Sequence, residues 1–128
     1  MHRGLKIVAV VVGTLLGLWF LLAGSQKFLA RAAFETMFSD FGLPLGLVPV
    51  IGVLELLGGV LALIPRTALY GAALIVVVMI GAAGSHLISG VGSPAGALVA
   101  LAMAAFVGGV RLVAARAARR GSAASGEV

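Results

Sequence analysis

The stretch IGVLELLGGVLALIPR, residues 51–66, is apolar or glycine at every position except Glu55 until Pro65 and Arg66 end it. No other charge lies within ten positions of that glutamate on either side. In hydrocarbon every backbone N–H and C=O has to be satisfied within the segment, so a run of this kind is read as a helix sunk in a membrane. Proline stops it by removing a backbone donor. The reading that decides the fold is therefore a membrane helix with one acid near its middle.

The rest of the chain has the same character. Its 128 residues are 62% hydrophobic and 10% charged, with a mean hydropathy of +1.23. A soluble domain is roughly 45–50% apolar and about 25% charged. A crossing of the hydrocarbon core takes roughly 20 apolar residues, so the chain supplies about four and leaves no room for a sizeable extramembrane domain. The expected fold is all-α, an integral membrane four-helix bundle, with spans at about residues 7–24, 46–64, 67–88 and 94–115. These make a single domain over residues 1–116, followed by a basic, disordered tail at 117–128. Residues 25–43 lack the apolar content to cross. Phe34, Met37, Phe38 and Phe41 fall on one side of a helical wheel, with Arg31, Glu35, Thr36, Ser39 and Asp40 spread over the other. That pattern predicts a helix lying in the interface.

Charge sets the orientation. Arg3, Lys6, Arg66, Arg111, Arg116, Arg119 and Arg120 mark one side of the membrane, against Lys27 and Arg31 on the other. Positive residues gather on the cytoplasmic side, so both termini are expected there, with the basic tail near anionic lipid. Topology and lipid contact account for the net charge of +5 without a nucleic-acid partner. The absence of cysteine excludes disulfides, thiol redox chemistry and thiolate iron–sulfur ligation. The first span imitates a secretory signal, but its apolar run exceeds the usual signal core, and Ser25 stands where a lipoprotein site needs cysteine.

Counted from Arg66 at 1.5 Å per residue, Glu55 lies about 16 Å deep, near the midplane. Ile51, Gly52, Gly58 and Gly59 are its neighbours on the helix face, and the same count brings Gly13, Gly17, residues 77–79 and residues 100–103 to its level. Two readings follow. In one, the small residues are packing surfaces and Glu55 hydrogen-bonds Thr14 or a backbone carbonyl, as interhelical glue worth about 1 kcal/mol. In the other, Gly52, Gly58 and Gly59 leave room for a small lipophilic molecule whose polar group meets the carboxyl. Burial favours the neutral acid unless a cation reaches it. Lys27 and His86 are the other candidate ligand-binding residues, both counted to the outer mouth. A Lys27–Glu55 bridge would have to span about 13 Å of depth and needs a tilted or displaced helix. His86 is alternatively bonded to a loop carbonyl, and as a haem ligand it lacks a partner, since His2 is at the opposite end. Met79 and Met103 are expected as core filler, and no metal site is expected.

LAGSQKF at 22–28, FGLP at 41–44, GVLELLGGVLALIPR at 52–66 and GAAGSHL at 81–87 together resemble the DoxX-like family of small bacterial four-helix membrane proteins, over about residues 10–112. The resemblance implies a bacterial plasma (inner) membrane location. It also implies a role as membrane subunit or anchor of a quinone-linked oxidoreductase or detoxification complex, not as an enzyme alone. On the matching positions Lys27, Glu55, the surrounding glycines and His86 carry over. Glu55 is then the catalytic candidate, relaying a proton from a bound quinol, with Lys27 or His86 orienting an oxygen; a quinone is the implied cofactor, none being intrinsic. The competing function is a self-contained small transporter, channel or homo-oligomeric scaffold with no redox role.

Overall fold

The structure, a computed structural model, describes residues 3–126. Among them it is all-helical, in the order α1 (Arg3–Leu29), α2 (Arg31–Asp40), α3 (Leu47–Leu63), α4 (Ala68–Ser89) and α5 (Ala95–Gly126). Three helices, α1, α4 and α5, are long and apolar enough to cross a membrane. The apolar α3 has 17 residues, a rise of about 25 Å. With their apolar side chains turned outward (Leu18, Val53, Val77 and Val99 among them), these helices describe a multi-pass membrane protein.

The boundaries differ from the sequence reading in two places. α1 continues through Leu29 and takes in the first five residues of the expected interfacial segment 25–43, leaving ten residues to α2. Lys27 thereby becomes part of the last turn of a long helix. The expected disordered tail, residues 117–128, is helical as far as Gly126, because its alanines and arginines are strong helix formers. Residues 127 and 128 of that tail, and His2, lie outside the described residues.

The long helices close a ring in which α1 packs on α3, α3 on α4, α4 on α5 and α5 back on α1. Glycines set the spacing and the register of the antiparallel α1–α3 pair. A methyl on Gly17 would stand 2.8 Å from the carbonyl oxygen of Gly59, and one on Gly24 would stand 2.8 Å from that of Gly52. Both are closer than real contacts allow, so the helices touch backbone to backbone there. Leu16, Phe20 and Ile75 fill the centre with Ala62 and Ala104.

α2 is aimed by its own C-terminus. Gly42 takes a left-handed φ of 78°. Its N–H donates to Ser39 O and the Leu43 N–H donates to Phe38 O, both at 2.9 Å. This is the glycine-closed helix ending that satisfies the last carbonyls, and Pro44 follows it. The turn folds α2 back over the end of the bundle where α1 finishes and α3 begins.

Candidate functional site

Lys27 and Glu55 meet. The Lys27 ammonium donates to Glu55 Oε1 at 2.7 Å, and the two residues are only 8% and 3% exposed. The gap of about 13 Å expected between them does not exist, because the glycine contacts set a different register from the one the terminal charges suggest. Continuing the pairing of Gly17 with Gly59 and Gly24 with Gly52 places Lys6 across from position 70, four residues or about 6 Å beyond Arg66. Lys27 therefore starts across from position 49, six residues or about 9 Å from the level of Glu55, and the two extended side chains cover the remainder. The alternative partner is absent: Thr14 Oγ1 donates to Val10 O at 2.8 Å, on the exposed side of α1. A cation does reach Glu55, which is the exception the sequence reading allowed for.

Only half of the carboxylate is satisfied. Glu55 Oε2 is buried and has no hydrogen-bond partner. Leaving a buried polar atom without one costs about 1–3 kcal/mol. The group opens on a cavity of about 530 Å³ whose hydrophilic side chains are Lys27, Glu55, Ser85 and His86. Ser85 is committed, its Oγ donating to Gly81 O at 2.8 Å. Val78, Met79 and Ala100 face the cavity, whereas Met103 packs against the core cluster.

The wall above the ion pair comes from α2. Phe34, Met37, Phe38 and Phe41, the apolar side read from the sequence, all line the cavity. The Lys27 Nζ lies 4.5 Å from the Phe34 ring centroid, a cation–π contact. Phe41 meets the His86 ring edge-on, with centroids 4.9 Å apart. The opposite side of α2 carries the exposed Arg31–Glu35 pair at 2.8 Å. Sequence reasoning assigned these aromatics to an interfacial helix and missed them as cavity residues. The signal available was the strength of that apolar stripe on a helix too short to cross.

His86 holds its ring by donating from Nδ1 to Val91 O at 2.8 Å, since the carbonyl can only accept. Gly92 permits this, with a φ of 65° and no Cβ, which would press on the ring at 3.2 Å from His86 Nδ1 and Cε1. Gly92→Ala is expected to cost about 1–2 kcal/mol in backbone strain and to displace the ring. A lowered melting temperature, with loss of the hydrogen-bonded imidazole N–H resonance, checks it.

Gly52, Gly58 and Gly59, expected beside a ligand, do not line the cavity. Gly52 closes on Lys27 and Phe28, Gly59 on the backbone of Gly17 and Leu21, and Gly58 on Ile75. Their missing side chains admit neighbouring helices instead of a small molecule. Among the described residues no three His, Asp or Glu side chains gather as metal ligands.

A family model for the DoxX-like family matches residues 11–110, a stretch that includes every residue lining the cavity. No curated protein and no solved structure matches the chain.

Proposed function

The chain belongs to the DoxX-like family, and from that premise we propose that it is a membrane subunit or anchor of a quinone-linked oxidoreductase or detoxification complex, binding a small lipophilic molecule beside Glu55. In this reading α3 crosses with α1, α4 and α5, α2 lies at the outer surface of a bacterial inner membrane, and both termini are cytoplasmic. The observation that carries the proposal is Glu55 Oε2, a buried oxygen without a partner at the wall of an apolar cavity. Polar and charged side chains at this depth are costly, and are more often tied to a pathway than to packing.

The residues present fit a quinone-type ring. The cavity falls within the roughly 300–1,000 Å³ of small-molecule sites, and the aromatic side chains of α2 offer it flat apolar contact. A Lys27 N–H would hold a carbonyl oxygen, and Glu55 Oε2 would accept a hydroxyl proton. When bound, a quinone supplies two-electron, two-proton chemistry that this chain's own side chains lack.

Purification from native membrane in mild detergent tests the proposal. A lipophile retained in near-equimolar amount, together with an oxidoreductase subunit, is expected. Glu55→Gln, which leaves the Lys27 ammonium without its counter-charge, is expected to accumulate at a reduced level and to lose partner-dependent quinone reduction per mole of protein recovered. A protein that emerges alone and empty, with a silent Glu55→Gln, would leave the self-contained transporter or scaffold reading in its place.

A further inference from the structure

We propose that the cavity selects for a hydroxyl group: its ligand is an apolar molecule bearing a neutral O–H donor, of the phenol or alcohol class, whose proton is accepted by Glu55 Oε2. The proposal rests on the reading of the cavity as a lipophile site and adds the functional group recognised there.

The polar side chains around the cavity are few: Trp19, whose indole N–H is a donor, and Lys27, Glu55, Ser85 and His86. The Lys27 ammonium donates to Glu55 Oε1 and lies over the face of Phe34, and with three N–H groups it can still donate to a ligand oxygen. Ser85 Oγ donates to Gly81 O. His86 Nδ1 donates to Val91 O, so in the neutral ring the remaining nitrogen, Nε2, is an acceptor. The atom with nothing at all is Glu55 Oε2, and a carboxylate oxygen accepts. The buried atom left without a partner on this wall is therefore an acceptor, and it is met only by a ligand that brings a donor.

Four ligand chemistries separate on that ground. A carbonyl or ether oxygen brings a further acceptor and leaves Oε2 unsatisfied. A carboxylate or other oxyanion meets the charge of Glu55 in a medium that screens it poorly. An amine brings a donor, but its positive charge would sit beside the Lys27 ammonium. A neutral hydroxyl satisfies Oε2 without adding charge, and its apolar body replaces nothing polar elsewhere in the cavity.

The test compares para-hexylphenol with its methyl ether, two probes of similar apolar body that differ in the O–H. Each is titrated into the purified wild-type protein in detergent, with concentration expressed as mole fraction in the micelle. Trp19 is the chain's one tryptophan and lies on the cavity wall, so its emission reports occupancy. The phenol is expected to bind about 10- to 100-fold more tightly than the ether, the usual size of a hydrogen bond to a charged group. Lys27→Met/Glu55→Leu, which removes both charges together, is expected to bind the two probes equally. Equal binding by the wild type, as when a water serves Oε2, overturns hydroxyl selection and leaves the lipophile site standing. Binding of neither probe overturns the lipophile site and the selection with it. A preference retained in the double variant overturns the assignment to Glu55. The wild-type comparison decides the proposal without the variant.

Discussion

Lys27→Met lowers the stability of the protein by about 3–5 kcal/mol, and adding Glu55→Leu restores most of the loss. Both groups are nearly inaccessible and stand against an apolar cavity, so removing the ammonium strands a carboxylate that already has one oxygen without a partner. Removing both charges together deletes the desolvation penalty along with the attraction, and substitutions of this kind are often neutral or stabilising. Denaturant unfolding in detergent of the wild type, both single variants and the double variant closes the cycle. The exposed Arg31–Glu35 pair is the internal comparison: Arg31→Met should change stability by only about 0.3–0.5 kcal/mol. A Lys27→Met as mild as Arg31→Met would mean that water or lipid headgroups reach Glu55, and the argument for a desolvated site would fail. A double variant at least as stable as the wild type would mean that folding alone does not account for the pair.

How far the sequence discloses this site depends on what is asked of it. The membrane character is legible because the apolar runs of α1, α4 and α5 are long and uniform enough to cross a bilayer. Glu55 is legible because a lone acid in such a run has no ordinary explanation. Its partner is not, because depths counted from Lys6 and Arg66 assume that both charges mark one plane. What fixes the register is a pair of spacings: Gly17 and Gly24 are seven residues apart on α1, and Gly52 and Gly59 are seven apart on α3. Aligned antiparallel, those four glycines bring Lys27 to about 9 Å from the level of Glu55, within reach of the two side chains. Gly52, Gly58 and Gly59, expected beside a ligand, stand at helix contacts for a related reason. A missing side chain is equally compatible with a cavity and with a close helix, and only the identity of the neighbour distinguishes them. The stripe of Phe34, Met37, Phe38 and Phe41 showed that α2 has an apolar side, but not that this side turns towards the bundle.

The same backbone contacts make Gly71→Ala the most damaging small change expected away from the ion pair. A methyl there would stand 2.8 Å from both Gly58 O and Leu61 C, and would press on the amide nitrogen of Ala62. Each of these atoms belongs to the backbone of α3 and cannot rotate away, so α4 has to move outward. Overpacking of this sort costs about 1–3 kcal/mol, and the upper end is expected where no side chain can yield. Gly84 and Gly109 provide the controls: nothing lies within 4 Å of a Cβ at either. Alanine at those positions is expected to be neutral or to stabilise its helix by up to about 1 kcal/mol. The consequence reaches the site, since α4 also carries Met79 and His86 on the cavity wall. A displaced α4 should therefore weaken binding at Trp19 as well as lower the melting temperature. If Gly71→Ala melts with Gly84→Ala and titrates like the wild type, then the approach of α3 to α4 is not set by this contact, and the cavity does not depend on it.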